Sequence, residues 1–220
     1  LHRSEADISS VEDLVRDIID RVSREGDKAI REFTQEFDQV SPNNLPLLVG
    51  ENEYKAAENK LDDKVLIAIS EAVDNVMKYH LTQRPDGLHM VETSPGIYAG
   101  ERAVPIPSAG LYVPRGKGSF PSMLYMLAIP ARIAKVPRIC VSTPPNSDGS
   151  VDPACLYAAK LCGVHEVYRI GGAQAIAALA LGTEAIKPVD KIVGPGSPFV
   201  AAAKRLLAGE ADQGLPAGPS

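Results

Sequence analysis

The order of strands and helices in the second half of the chain constrains its fold more than any other feature. From Gly110 onward, the β-prone runs GLYVP, RICVSTP, EVYRI and DKIV each precede an apolar run of helical length. Strands joined by such helices form right-handed crossovers and lie parallel in one sheet. We therefore predict an α/β fold with a mostly parallel sheet in the second half of the chain.

Glycine turns follow three of these strands, at the carboxyl ends where open α/β sheets bind ligands. In the turn GPGSP, Ser197 suits the N-cap position of the next helix and Pro198 suits its first position. Phe199 and Ala203 then belong to the apolar stripe that we expect to face the sheet. The turn either holds an anion at the helix N-terminus or is a capped turn without a ligand, and both interpretations stay open.

The familiar motifs for nucleotide binding and catalysis are incomplete. GKGSFP and GPGSPF contain the first two glycines of a dinucleotide-binding fingerprint, but Pro121 and Phe199 occupy the third position. No segment has the spacing of a phosphate-binding P-loop or of a G-x-S-x-G elbow. The four histidines lack the spacing of a helical metal pair. The residues themselves therefore predict neither a catalytic set nor a metal site.

Composition excludes several classes of partner. A net charge of −5 without a basic stripe argues against nucleic acid. No apolar run approaches the roughly 18 residues of a membrane span, and the charged start LHRSEADISS is unlike a signal peptide. Cys140, Cys155 and Cys162 are odd in number and lie in strand-like and helix-like runs, so we expect buried thiols. We expect a cytoplasmic protein without a membrane segment.

The first half of the chain differs in character. VEDLVRDIIDRVSREGD places Val11, Leu14, Ile18 and Val22 on one helical face, and two more amphipathic stretches follow before residue 85. GIYAGERAVPIPSAGLYVP then alternates β-prone runs with glycine and proline, as a strand pair does. We predict a mainly helical segment with a small β portion in this half, over residues 1–108.

Six blocks of sequence resemble one known family. GLYVPRG, LAIPARIA, LYAAKLCGV, RIGGAQAIAALALGTE, VDKIVGPGSPFV and PAGPS are similar, in order and spacing, to successive blocks of histidinol dehydrogenase. GDKAIREFTQEFD is similar to the helical region near the start of that family. The resemblance covers nearly the whole chain, and GGAQAIAALALGTE is its most specific block.

The resemblance implies a function and a set of site residues. It implies an oxidoreductase of histidine biosynthesis, a cytoplasmic homodimer that uses zinc and two NAD to oxidise L-histidinol to L-histidine. Carried over by position, the NAD contacts fall on Tyr112, Gln174 and Ser197, and the substrate contact falls on Ser220. Gly194 and Gly196 of the same turn are expected to let the cofactor approach the backbone.

The chain also departs from the family pattern. Ser197 stands where the family usually has asparagine, Arg115 where it has glycine, and Gly214 where it has an acidic residue. The zinc ligands and the acid–base glutamate and histidine of the family lie downstream of the position equivalent to Ser220. We therefore expect no catalytic residue and no metal ligand within this chain, which would be half of an enzyme and inactive alone. The resemblance also implies that residues 109–220 form an incomplete Rossmann-like domain and that residues 1–108 belong to a first domain that is itself incomplete.

Two alternatives remain open at the level of sequence. One is a paralogous dehydrogenase that acts on another amino alcohol or a small polyol, because the departures lie near the expected cofactor positions. The other is a non-catalytic partner subunit or remnant, because the downstream chemistry is absent from this chain.

Overall fold

The computed structural model describes residues 10–40, 46–85, 87–115, 118 and 120–213. Its first half contains four helices and one antiparallel hairpin, and the predicted helical segment with a small β portion is confirmed. These elements are α1 (Glu12–Glu25), α2 (Asp27–Asp38), α3 (Glu51–Glu58), α4 (Asp63–Leu81), β1 (Leu88–Ser94) and β2 (Ile97–Arg102).

The second half alternates strands and helices as the sequence predicts. Its elements are β3 (Ser108–Tyr112), α5 (Pro121–Ile133), β4 (Arg138–Thr143), α6 (Pro153–Leu161), β5 (Glu166–Arg169), α7 (Gly172–Leu181), β6 (Lys191–Val193) and α8 (Pro198–Leu206). The four strands form one sheet in the order β5-β4-β3-β6, and every pairing is parallel. The predicted α/β fold with a Rossmann-like parallel sheet is therefore confirmed.

Strand β3 runs through the centre of this sheet, and all five of its residues are buried. Gly110 pairs with Cys140 of β4 on one side and Ile192 of β6 on the other. Leu111 and Val141 point into the core that contains α5 and α6, whereas Cys140 and Ile192 belong to the core that contains α7 and α8. Burial on both faces is typical of a parallel sheet and explains the continuous apolar character of its strands.

The helices of the first half add a second layer to each of these cores. Helices α1 and α2 join the core of α7 and α8, with Val15, Ile18 and Val22 as the buried positions of α1. Helices α3 and α4 join the core of α5 and α6. Leu14, which we expected on the buried face of α1, is instead 49% exposed. The division at residue 108 stays a prediction, and these contacts join the two parts on both faces of the sheet.

Residues from the first half also cover the free edge of β5. Two backbone hydrogen bonds of 2.9 Å pair this segment with β5: the Val49 N–H donates to the Val167 carbonyl oxygen, and the Arg169 N–H donates to the Leu47 carbonyl oxygen. The Arg169 side chain is 4% exposed and makes two hydrogen bonds to the carboxylate of Glu53 in α3, at 2.5 and 3.1 Å. Because that guanidinium is buried, the ion pair fixes α3 against the sheet.

The hairpin of β1 and β2 is exposed along its whole length. We expected strands within residues 96–114 to pair with each other, but β2 pairs with the earlier β1 and β3 enters the main sheet. Leu88, Ile97 and Tyr98 are each more than half exposed. An isolated two-stranded hairpin is only marginally stable in water, and exposed apolar side chains of this kind are typical of a surface that contacts another protein surface.

The Arg169–Glu53 pair generates a stability prediction. Replacing Glu53→Ala leaves the Arg169 guanidinium buried without its carboxylate and also removes the Glu53 hydrogen bond to the Gly50 N–H. We expect a loss of about 2 kcal/mol in the free energy of unfolding, since Glu53 is itself partly exposed. Chemical denaturation measures it.

The matched control is Glu51→Ala in the same helix, because Glu51 pairs with Lys55 at the surface. We expect this change to cost much less than Glu53→Ala, because an exposed ion pair is screened by solvent. Equal losses in the two variants would contradict the structural role of the buried pair.

Candidate functional site

A cavity of 300 Å³ lies where helices of the two halves meet at the carboxyl edge of the sheet. Its walls come from the ends of four helices, and its volume is at the lower end of the range for small-molecule sites. The lining residues are Leu14 and Ile18 of α1, Phe37 and Asp38 of α2, Gly172, Ala173 and Gln174 of α7, and Ser197 and Phe199 at the start of α8.

Gln174 supplies a buried amide to this cavity. The helix α7 begins at Gly172, so Gln174 lies in its first turn. The side chain is 1% exposed, and its Oε1 atom has no hydrogen-bond partner among the described residues. An unpaired buried amide oxygen is costly, and a ligand that donates a hydrogen bond would relieve that cost.

Ser197 and Phe199 enter the cavity from the start of α8. Ser197 occupies the N-cap position and Pro198 follows it, as predicted, but the Ser197 side chain makes no capping hydrogen bond. Phe199 is 38% exposed and lines the cavity, whereas the sequence placed it on the stripe that faces the sheet. The buried positions of α8 are Val200, Ala202 and Ala203.

Tyr112 lies at the end of β3 and is buried. Its hydroxyl oxygen accepts a hydrogen bond of 3.1 Å from the Gly172 N–H, at the start of the helix that carries Gln174. Burial raises the pKa of Tyr112 to about 12, and the negative charge of Asp38 adds to that effect. The phenol therefore stays neutral and supports the turn that bears Gln174.

The turn residues Gly194 and Gly196 have packing reasons to be glycine. Gly194 has φ +122°, and a Cβ there would meet the Tyr112 carbonyl oxygen at 2.1 Å. A Cβ on Gly196 would meet the Val200 side chain at 2.4 Å. Lys204 donates a hydrogen bond to the Gly194 carbonyl oxygen, and burial lowers the pKa of this lysine to about 8. Close packing by itself accounts for this turn.

Asp38 is the residue of this cavity that sequence reasoning missed. It is the last residue of α2, and its Oδ2 atom is buried without a hydrogen-bond partner among the described residues. Burial raises the pKa of Asp38 to about 6, although the positive charge of Arg115 opposes the effect. An acidic residue at a helix C-terminus is unfavourable for the helix dipole, and that was the signal available in the sequence.

The other sequence predictions concern residues and features outside this cavity. Ser220 and Gly214 fall outside the described residues. The described part of the chain contains no group of three or more metal-binding side chains and no helix able to cross a membrane. The three cysteines are buried thiols outside any disulfide, as expected, and burial raises the pKa of Cys140 to about 12 and of Cys162 to about 11. Such thiols are poor nucleophiles.

Comparison with known proteins gives a consistent family. The family model described as histidinol dehydrogenase matches residues 1–220. A "Histidinol dehydrogenase homolog 2" from Mesorhizobium japonicum is 51% identical over 220 residues, which are all of this chain and 50% of the relative. A "Histidinol dehydrogenase" from Synechocystis sp. is 46% identical over 218 residues, which are 99% of this chain and 50% of the relative.

The fold has a close counterpart among solved structures. The crystal structure of histidinol dehydrogenase from Elizabethkingia anophelis is similar with a TM-score of 0.91 at 34% identity. The match covers 100% of this chain and 49% of the solved one. The chain therefore spans about half the length of the relatives that it matches.

The unpaired carboxyl of Asp38 generates a prediction on stability. An unfolded carboxyl titrates near its ordinary pKa of 3.8, but the native one titrates near 6, so native stability falls as the pH rises between these values. Asp38→Asn removes this loss. We expect the variant to gain about 1 kcal/mol at pH 8, after discounting for the solvated part of the group, and no more than a few tenths at pH 4.

Thermal unfolding of both proteins across this pH range measures the effect. A variant that is less stable than the parent protein at pH 8 would show that Asp38 has a structural partner and would remove the basis for a ligand at this position.

Proposed function

Because the chain belongs to the histidinol dehydrogenase family, we propose that it is the NAD-binding half of an enzyme that oxidises L-histidinol to L-histidine. The whole enzyme would be an oxidoreductase of histidine biosynthesis. The observation that carries the proposal is the cavity at the carboxyl edge of the sheet, where the Gln174 amide oxygen is buried without a partner. Ligands of open α/β sheets bind at this edge.

The residues that line this cavity fit part of a dinucleotide. The Gln174 amide can accept a hydrogen bond from a carboxamide, an amino group or a ribose hydroxyl, and the Ser197 hydroxyl can donate or accept one. Phe37 and Phe199 offer apolar surface to a base. When bound, NAD supplies the acceptor for a hydride, and this chain would hold and orient it.

Other residues would act by positioning. Tyr112 holds the Gly172 N–H through its hydroxyl and so fixes the first turn of α7, from which Gln174 projects. Its raised pKa keeps a proton on the phenol, so we assign it no role as a base. Lys204 ties the Gly194 carbonyl in place, and this contact would keep Ser197 at the mouth of the cavity.

The zinc that the family resemblance implies does not fit the described residues. They offer no group of three or more histidine, cysteine, aspartate or glutamate side chains that could hold a metal ion. We therefore assign no catalytic step to zinc or to an acid–base pair in this chain. Ser220 remains a proposed substrate contact that rests on the resemblance.

A homodimer in the cytoplasm is the assembly that we propose for the whole enzyme. The exposed apolar side chains of the β1–β2 hairpin support it, because a surface of this kind is ordinarily covered by another protein surface. The location follows from the biosynthetic role of the family.

A binding experiment tests the cofactor proposal. We expect the chain to bind NAD saturably in isothermal titration calorimetry and Gln174→Ala to weaken binding at least about tenfold, because the variant loses a buried hydrogen bond to the ligand. Gln35→Ala, on the exposed face of α2, is the matched control and should leave the affinity unchanged. Equal affinities for all three proteins would place NAD elsewhere.

An activity experiment tests the substrate proposal. We expect the whole enzyme to reduce two NAD for each L-histidinol and to convert other amino alcohols and small polyols far more slowly. The absorbance of the reduced nicotinamide measures these reactions. A higher kcat/KM for one of those compounds than for L-histidinol would instead identify a paralogous dehydrogenase.

A further inference from the structure

No contact among the described residues explains why a carboxylate stands at position 38. It lies at the C-terminus of α2, where the helix dipole disfavours a negative charge. Its Oδ2 atom is buried and unpaired, and the side chain lines the cavity together with Gln174 and Ser197. A polar group held at such a cost is usually explained by a partner that arrives with a ligand.

The apolar part of the same cavity is aromatic. Phe37 is 47% exposed and Phe199 is 38% exposed, and both line the cavity. The Phe37 ring is supported by the Phe33 ring, on which it stacks with centroids 5.6 Å apart and an interplanar angle of 4°. Half-exposed aromatic rings beside a cavity are suited to the flat face of a base.

The volume of the cavity and the charge of Asp38 restrict the class of ligand further. A volume of 300 Å³ suits one nucleoside better than a whole dinucleotide. The carboxylate of Asp38 disfavours a phosphate inside the cavity but accepts hydrogen bonds from hydroxyl groups. Of the two nucleosides in NAD, adenosine has the larger and uncharged ring, which gains more from apolar walls.

We propose that this cavity is the adenosine subsite of the dinucleotide and that Asp38 selects NAD over NADP by accepting a hydrogen bond from the ribose 2′-hydroxyl. The inference rests on the proposed function and adds a specificity to it. Acidic side chains in other dinucleotide sites act on the ribose in the same chemical way, but there they follow a strand of the sheet. Here the carboxylate comes from a helix of the first half of the chain.

The charges around Asp38 explain why its removal would admit NADP. A 2′-phosphate would meet the carboxylate at close range, and like charges in a partly buried site repel strongly. Arg115 lies near enough to act on the Asp38 charge, while its guanidinium donates a hydrogen bond to the Pro145 carbonyl oxygen. Without the carboxylate, the positive charge of Arg115 would no longer be opposed at this position, and it would favour a 2′-phosphate.

Calorimetric titration of the chain at pH 8 tests the inference, with NAD, NADP, adenosine 5′-monophosphate and nicotinamide mononucleotide as separate ligands. The variants are Asp38→Asn and the control Asp74→Asn, an exposed aspartate of α4 on the opposite face of the sheet. We expect the parent protein and the control to prefer NAD over NADP by at least about tenfold.

We expect Asp38→Asn to reduce this preference to about threefold or less, with a loss of affinity for adenosine monophosphate and an unchanged response to nicotinamide mononucleotide. If Gln174→Ala weakens NAD binding but Asp38→Asn leaves the NAD to NADP ratio unchanged, the inference is wrong and the proposed function stands. Dependence on Asp38 for nicotinamide mononucleotide instead of adenosine monophosphate also overturns it. Absence of NAD binding by the parent chain overturns both.

Discussion

The rest of the structure depends on the need of a parallel sheet to be covered on both faces. Strand β3 is buried at every residue, and the helices that alternate with the strands cover it directly. Helices from the first half of the chain then pack outside them, with α1 and α2 on one face and α3 and α4 on the other. The same packing brings the end of α2 to the carboxyl edge of the sheet, where Asp38 and Gln174 line the same cavity.

The fold could be predicted where local pattern and tertiary burial agree. Apolar strands bounded by glycine turns predicted a parallel sheet, because a strand buried on both faces needs a continuous apolar run. The pattern failed at β1, which is exposed on both faces and therefore has no alternation to detect. It also failed at Phe199, because a helix that starts at a cavity can direct an apolar side chain toward a ligand site as well as toward a core.

The candidate site could be predicted only in part, for a similar physical reason. Gln174 and Ser197 follow strands whose carboxyl ends must lie together, so the sheet alone places them near one another. Asp38 lies far from both in the sequence, and only the packing of α2 against α7 brings it to the same cavity. The cofactor contact of Tyr112 stays a prediction; its buried hydroxyl accepts a hydrogen bond from the Gly172 N–H, a contact that the sequence pattern did not indicate.

We propose that NAD binds where the two halves of the chain meet, and every role assigned to the cavity depends on this binding. The most direct measurement is a titration of the 15N-labelled chain with NAD followed by amide NMR spectra. We expect saturable chemical-shift changes at the amides of Phe37, Asp38, Gln174 and Ser197, with no change along the β1–β2 hairpin. Saturable shifts confined to another surface, or no saturable shift at these amides, would contradict it.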